Sequence, residues 1–221
     1  MSSMFPDWIQ PCGDTSLLVI LGEGISVSIN RRVHALAKGL RERQIAGLGE
    51  CVPGYATLRV DYDPLVTSLD DLIRSIQSVL ESSYDENLLP AREVVLPVHY
   101  GGEDGPDLPF VAQHTGLSED EVIRRHTAGV YPVLMMGFLP GFPYLGGMDE
   151  SLATPRLETP RQRVPAGSVG IAGKQTGVYP LESPGGWRII GRTHLTLFDA
   201  SKEPPFLLQP GDVVRFVAVE G

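Results

Sequence analysis

Positive charge is scarce in this sequence, and lysine and arginine form no run. Its 221 residues include 18 basic and 27 acidic ones, which gives a formal net charge of −9. Nucleic-acid binders usually carry a basic patch, because neutralising phosphates drives their association. The charge balance therefore predicts no nucleic-acid partner and no attraction to an anionic membrane. Local arginine clusters in an acidic chain can still bind small anions.

Cysteine is also rare, with Cys12 and Cys51 far apart and no Cys-x-x-Cys motif. Two such thiols make neither a disulfide framework nor a four-ligand zinc site, and we interpret both as small buried or half-buried side chains. The five histidines include no pair at the i, i+4 spacing that places two metal ligands on one helix face. The sequence thus predicts no metal site.

Long apolar runs are missing as well. The longest, residues 130–142, contains Pro132 and Pro140 and is too short to span a bilayer. The first ten residues lack the basic segment and apolar core of a signal peptide. Together with the free thiols, these features predict a cytoplasmic protein without a membrane span.

The first half of the chain alternates strand-like and helix-like segments. An apolar run at residues 17–21 predicts a buried strand, and apolar residues at helical spacing over 33–40 predict a helix. One strand is expected on each side of the turn at residues 53–54. Ser68-x-x-Asp71 is a capping-box pattern, which predicts the start of a second helix.

A strand at residues 94–98 would complete a β-α-β-β-α-β order, the ferredoxin-like arrangement. We therefore predict an α+β protein with a ferredoxin-like domain over residues 1–92. A second domain is expected over residues 93–221.

The second half begins with two short helices. Asp107 is positioned to cap the first of them, and Gly116 to end it. Ser118-x-x-Glu121 predicts the start of the next helix. His126 shares the apolar face of that helix, and both a core histidine and a pocket histidine remain open interpretations.

Residues 137–191 have an unusual composition, with eleven glycines and seven prolines in 55 residues. That density forbids long helices and favours short strands joined by tight loops, as in a small β-barrel or sandwich. Interspersed aromatic residues argue against disorder, because they can bury area. A functional surface is expected over residues 137–193, which include this stretch.

Two Thr-Pro-Arg repeats within this stretch end at Arg156 and Arg161. Guanidinium groups recognise carboxylate or phosphate in a bidentate manner, so both arginines are candidate anion ligands. Solvated arginines in a surface loop are the alternative.

Two nearby strings are near misses to known motifs. Residues 167–175 suggest a phosphate-binding loop, but the spacing is one residue too long and Gln175 replaces the Ser or Thr that would ligate magnesium. Residues 166–170, around Ser168, differ from a nucleophile elbow at the first glycine. The chain therefore lacks a recognisable nucleotide loop, and we do not expect it to hydrolyse ATP alone.

Five ordered strings together resemble one family, that of the 5-oxoprolinase B subunit. The same family includes the KipI-type sensor-kinase inhibitor and proteins labelled allophanate hydrolase subunit 1. The resemblance covers almost the whole chain and departs at His194, where the family pattern has a proline. The strings are GFLPGFPYL (137–145), PRQRVPAGSV (160–169), QTGVYP (175–180), SPGGW (183–187) and IGRT (190–193).

The resemblance implies a cyclophilin-like β-barrel for the C-terminal domain. It also implies a subunit of an ATP-dependent hydrolase that opens 5-oxo-L-proline to L-glutamate. The implied partners are a C subunit with a related barrel and an A subunit, with ATP bound by the assembled complex rather than by this chain. Two alternatives stay open, namely inhibition of a sensor histidine kinase and a carboxyltransferase half of a urea carboxylase or allophanate-pathway enzyme.

Candidate site residues follow from chemical type at these motif positions. Arginines would contact carboxylate or phosphate, His126 would shuttle a proton, tyrosines would donate to an oxyanion, and Gln175 would orient an amide. The catalytic candidates are His126, Tyr144, Arg161 and Gln175, and the substrate-binding candidates are Phe142, Arg156, Ser168, Tyr179, Trp187 and Arg192.

Overall fold

A computed structural model of the chain describes residues 6–82 and 92–219. It confirms the α+β class, and the chain divides into two compact units, Met1–Pro90 and Ala91–Gly221. The helices in the described ranges are α1 Val27–Glu42, α2 Leu69–Glu81, α3 Leu108–Thr115 and α4 Glu119–Ala128. The strands are β1 Ile9–Pro11, β2 Ser16–Ile20, β3 Leu48–Pro53, β4 Thr57–Tyr62, β5 Glu93–Tyr100, β6 Tyr131–Met136, β7 Pro143–Leu145, β8 Arg161–Val164, β9 Ser168–Ala172, β10 Gln175–Val178, β11 Ser183–Gly185, β12 Arg188–Arg192 and β13 Val213–Ala218.

The first unit is a four-stranded antiparallel sheet, ordered β1-β2-β4-β3, with α1 and α2 packed against it. Alternation along β4 buries Leu58 and Val60 while Arg59 stays exposed, as a half-buried strand requires. Helix α2 begins as predicted, because the Ser68 hydroxyl accepts the Asp71 N–H at 3.1 Å.

One strand belongs to a different sheet from the one expected. The segment predicted to complete the ferredoxin-like order lies in β5, which pairs in parallel with β13 from Glu93 to Val98. The outer position beside β2 is taken by β1, which comes from the chain's beginning. A short apolar strand does not reveal its partner, because pairing is decided by distant segments.

The second unit contains a closed seven-stranded barrel in the order β10-β7-β6-β13-β5-β12-β9, which confirms the expected barrel. Its interior is filled by apolar side chains that alternate along the strands, including Leu96, Val169, Ile171 and Phe216. Strands β8 and β11 form a separate antiparallel pair.

Helices α3 and α4 precede β6 and pack against this barrel core through Val111 and Val122. Helix α3 ends at Gly116, whose φ of 71° lies in the left-handed region that favours glycine. Helix α4 begins at Ser118 as predicted, with the hydroxyl accepting the Glu121 N–H at 3.2 Å. None of the helices in the described ranges is both long and apolar enough to cross a membrane.

Candidate functional site

A pocket of about 220 Å³ lies against the outer side of the barrel, between the loop that joins β6 to β7 and the β8–β11 pair. It brings together five of the ten predicted site residues. Its lining consists of Phe138, Phe142, Tyr144, Arg156, Pro160, Tyr179, Pro184, Gly185, Gly186 and Trp187. We call this the aromatic pocket.

The rings of the aromatic pocket pack edge to face around Phe142. Its centroid lies 5.3 Å from that of Tyr179 and 5.5 Å from that of Trp187, each at 85°. Tyr144 completes the group at 5.1 Å. Such pairs are held by ring quadrupoles in addition to apolar burial, so the ring contacts stabilise the pocket wall.

Two glycines make room for these rings. Gly170 on β9 and Gly177 on β10 are direct partners in the barrel sheet. A Cβ at Gly170 would lie 3.1 Å from the Trp187 Cβ, and one at Gly177 would lie 3.1 Å from Trp187 Cζ3 and 3.2 Å from Phe142 Cζ. The bare glycine pair therefore allows the aromatic cluster to pack directly on the outside of the barrel.

Arg156 supplies a positive charge at the rim of the pocket. Its guanidinium carbon lies 5.9 Å from the Trp187 ring centroid, within the range of a cation–π contact. The side chain is exposed, and no carboxylate of the described ranges lies within salt-bridge distance of it. Its hydrogen-bond donors are therefore available to an anionic ligand.

Tyr179 adds a phenol beside this arginine. Burial raises its pKa, while a backbone hydrogen bond with Trp187 and the charges of Arg156 and Arg161 lower it to a smaller extent. The hydroxyl therefore stays protonated at neutral pH and can donate a hydrogen bond to a ligand oxygen.

Arg161, in contrast, is engaged by Asp107. Its two terminal nitrogens donate to the two carboxylate oxygens at 2.8 and 2.9 Å. Asp107 is buried and also accepts the Ile189 N–H at 2.7 Å. Because its fork is occupied, Arg161 supports the pocket edge and is not free to bind a ligand carboxylate in a bidentate manner.

The same contacts correct the prediction for Asp107. The residue precedes α3 as expected, but its side chain makes no capping hydrogen bond. Its carboxylate is taken by Arg161 and by the β12 backbone. Spacing along the sequence identifies Asp107 as a residue type that caps helices. It does not reveal Arg161, 54 positions further along the chain, which binds the same carboxylate.

His126 lies in the barrel interior and not in the aromatic pocket. It is fully buried, with the Tyr100 hydroxyl 2.7 Å from Nδ1 and the Thr176 hydroxyl 2.9 Å from Nε2. Thr176 donates its hydrogen to the Gly170 carbonyl, so it accepts from Nε2–H. Nδ1 must then accept from Tyr100, which fixes a neutral tautomer with both ring nitrogens satisfied.

Burial lowers the pKa of His126 to about 3. A proton shuttle at neutral pH requires a pKa near neutrality, which desolvation of this ring prevents. The ring stays uncharged at neutral pH and is sealed from solvent. Its position supports the core interpretation and gives the proposed proton shuttle no physical basis.

The three remaining candidates lie outside the aromatic pocket. Gln175 begins β10 opposite Ala172, and Ser168 is buried at the start of β9. Arg192 donates to the Ala166 carbonyl at 2.9 Å. Their proposed roles thus find no support in the pocket geometry.

Sequence reasoning missed Phe138, whose ring lines the aromatic pocket. It also lines a second cavity of about 490 Å³, which is mostly apolar and includes Phe206 and Leu208. Phe138 has a φ of 66°, which is uncommon for a residue with a side chain. The Gly-Phe-Leu-Pro-Gly string around it was the available signal.

Comparison with known proteins identifies the family of this chain. The chain matches the sequence profile of the family described as "Carboxyltransferase domain, subdomain C and D" from residue 8 to residue 208. It belongs to this carboxyltransferase-domain family. The matched range includes every residue that lines the aromatic pocket.

Relatives of this family member include proteins named as the B subunit of 5-oxoprolinase. The one from Bacillus subtilis (strain 168) is 43% identical over 221 residues, covering 96% of this chain and 92% of that protein. The one from Escherichia coli O157:H7 is 45% identical over 206 residues, covering 93% of each. The family resemblance predicted from the sequence motifs is confirmed.

Some relatives are longer chains than this one, and others are of similar length. The urea amidolyase of Saccharomyces cerevisiae is 26% identical, over 95% of this chain but only 13% of that protein. The solved structure of TTHA0988 is 42% identical with a TM-score of 0.81, and this chain spans 40% of its length. A conserved uncharacterized protein from Pyrococcus horikoshii is 51% identical with a TM-score of 0.58, and 97% of its chain is covered.

Proposed function

We propose that this chain is the B subunit of a heteromeric ATP-dependent 5-oxoprolinase, which opens 5-oxo-L-proline to L-glutamate with a C subunit and an A subunit. The observation that carries the proposal is the identity of 43% and 45% to proteins named as the B subunit of 5-oxoprolinase, along nearly the whole of each chain. We further propose that the aromatic pocket, in the domain of residues 93–221, holds the substrate. The free cysteines Cys12 and Cys51 suit a cytoplasmic location.

The shape and charge of the pocket suit a small carboxylated lactam. Edge-to-face rings around Phe142 form an apolar wall for a five-membered ring. Arg156 is the free cation that binds the substrate carboxylate, and Tyr179 donates to the lactam oxygen. Enclosing the lactam ring within this wall orients the amide and excludes bulk water from it.

ATP does not fit the one string of this chain that resembles a phosphate loop. Residues 167–175 form the β9–β10 hairpin, in which Gln175 pairs with Ala172. The Gly173 N–H donates to the Thr154 carbonyl at 2.7 Å, so this turn is closed by protein contacts. We propose that the assembled complex, and not this chain alone, binds the nucleotide.

The pocket also lacks the groups that hydrolysis requires. Its lining, within the part of the chain that the structure describes, contains no carboxylate, imidazole or thiol. A general base for the attacking water must then come from outside this pocket. This supports a subunit that binds and orients substrate while a partner supplies the remaining chemistry.

Reconstitution tests this proposal directly. We expect 5-oxoproline-dependent ATP turnover from the chain assembled with its C and A subunits, and none from the chain alone. Turnover of comparable rate by the lone chain would contradict the subunit assignment. An assembled complex that never responds to 5-oxoproline would contradict the substrate.

Arg156→Ala tests the pocket within that assay. Loss of a charge-assisted hydrogen bond of about 1.5–3 kcal/mol should raise KM roughly tenfold or more. The matched control is Arg163→Ala, because Arg163 is exposed, pairs with Glu182 and does not line the pocket. An unchanged KM in Arg156→Ala would remove this arginine from the substrate site.

Carboxyltransferase activity is a second candidate, favoured by the family description and by the 26% identity to a urea amidolyase. It predicts activity that depends on a biotinylated partner. Inhibition of a sensor histidine kinase is a third candidate, favoured by the exposed Phe138 beside an apolar cavity. It predicts kinase binding without turnover, which the reconstitution assay distinguishes.

A further inference from the structure

Phe138 occupies a strained turn in the loop between β6 and β7. The Leu139 N–H donates to the Gly137 carbonyl at 2.7 Å across it, and the φ of Phe138 is 66°. This is a γ-turn of the rare, positive-φ kind. Hydrogen bonds from the Gly137 N–H to the Phe142 carbonyl and from the Phe142 N–H to the Leu139 carbonyl close the loop around it.

The turn holds a large apolar ring in solvent. Phe138 is 62% exposed, yet its ring lies 5.5 Å from Phe142 and 6.4 Å from Tyr179, near right angles to both. Those two rings are almost completely buried. Phe138 therefore lines the aromatic pocket with an exposed ring that lies nearly perpendicular to the buried rings of the wall.

Phe138 also lines two cavities. Of the described residues that line the aromatic pocket, it alone lines the apolar cavity of about 490 Å³ as well. Because Phe138 helps to bound the space of about 220 Å³, removing its ring would enlarge the aromatic pocket. Backbone strain that leaves an apolar ring exposed is characteristic of functional positions, because folding alone does not favour it.

We propose that Phe138 is a specificity-determining residue, whose ring limits the aromatic pocket to small carboxylated lactams and excludes those with bulky ring substituents. This inference rests on the proposed function, since it takes the aromatic pocket as the lactam site. The strained turn sets where the ring stands, and the ring sets the size that the pocket accepts.

The test compares two lactams across three variants of the assembled complex. The ligands are 5-oxo-L-proline and a 5-oxo-L-proline with a benzyl substituent on a ring carbon. Phe138→Ala removes the ring and keeps a side chain at positive φ, whereas Phe138→Gly removes both ring and strain. The matched control is Phe206→Ala, because Phe206 lines only the larger cavity.

We expect both Phe138 variants to raise kcat/KM for the benzyl lactam relative to 5-oxoproline by at least about tenfold, with no change in Phe206→Ala. Agreement between Phe138→Ala and Phe138→Gly would assign the effect to the ring itself. An unchanged ratio with normal 5-oxoproline turnover would overturn the inference and leave the proposed function intact.

A binding measurement distinguishes failure of the specificity inference from failure of the proposed function. The chain has two tryptophans, Trp8 and Trp187, so Trp8→Phe leaves Trp187 as the reporter in the pocket. If the assembled complex does not turn over 5-oxoproline, the proposed function fails, and quenching of Trp187 in the full chain still compares the two lactams. Absence of any lactam-dependent quenching would overturn the inference together with the function.

Discussion

The pairing of Asp107 with Arg161 determines what a substitution at the pocket edge does. Arg161→Ala would leave a buried carboxylate with only a backbone N–H and a distant Arg188 guanidinium at 3.9 Å. We expect a loss of about 2 kcal/mol in unfolding free energy, less than for a fully buried pair because Arg161 is partly exposed. Denaturant titration measures this.

The partner substitution provides the control for that prediction. Asp107→Asn in the Arg161→Ala background removes the uncompensated charge and should recover part of the loss. Arg163→Ala, which breaks an exposed pair with Glu182, should cost less than about 1 kcal/mol. Equal costs for Arg161→Ala and Arg163→Ala would show that the Asp107 contact contributes no more stability than an exposed ion pair.

His126 makes stability depend on pH in a definite direction. Its pKa is about 3 in the folded chain and about 6.5 when unfolded, so the unfolded state binds more protons between these values. Its contribution is fully present above pH 6.5 and is lost as the pH falls. From pH 6.5 to 4.5 we expect a loss of about 2 kcal/mol.

Comparison with His126→Gln isolates this contribution. The variant has no titrating ring, so its unfolding free energy should change less across the same pH range. Denaturant titrations at both pH values measure the difference between the two proteins. Parallel pH dependence in the native chain and the variant would mean that burial does not depress the His126 pKa.

At the scale of elements, the facing glycines of β9 and β10 determine whether the aromatic cluster can form. Gly177→Ala would place a methyl group 3.0 Å from the Pro143 carbonyl oxygen, 3.1 Å from Trp187 and 3.2 Å from Phe142. Overpacking of this kind costs about 1–3 kcal/mol, and it should also shift Trp187 emission. Denaturant titration and fluorescence measure the two effects.

Gly186→Ala is the matched control for the facing glycines. Gly186 also lines the pocket, but a Cβ there would meet Pro160 at an ordinary 3.5 Å. This variant should therefore cost clearly less than Gly177→Ala. Similar costs at both positions would contradict the close approach of the rings to β10.

At the scale of the whole molecule, each unit has a hydrophobic core of its own. The barrel unit buries Leu96, Val169 and Phe216 in one cluster and the aromatic pocket wall in another. We expect a fragment of residues 92–221 to fold alone, with Trp187 emission equal to that of the full-length Trp8→Phe chain. An unfolded fragment, judged by circular dichroism, would show that the barrel requires the first unit.

Local patterns in the sequence were sufficient to predict features that depend on interactions between residues close together in the chain. The starts of α2 and α4 at Ser68 and Ser118 were predictable, because capping depends on residues three positions apart. The motif strings and the Thr-Pro-Arg repeats identified a set of site candidates that the structure brings together, namely Phe142, Tyr144, Arg156, Tyr179 and Trp187. The pairing of β1 with β2 was not predictable, because partner choice depends on segments that compete across the chain.

The sequence by itself determined the α+β class, the helices, the family and the stretch that contains the candidate site. Only the tertiary structure decided which charges are free. It joined Arg161 to a buried Asp107 and left Arg156 exposed, although both arginines follow the same Thr-Pro pair. It also enclosed His126 in the barrel and left Phe138 exposed beside the buried ring of Phe142. Desolvation and long-range pairing depend on what surrounds a side chain in space, and spacing along a chain does not contain that information.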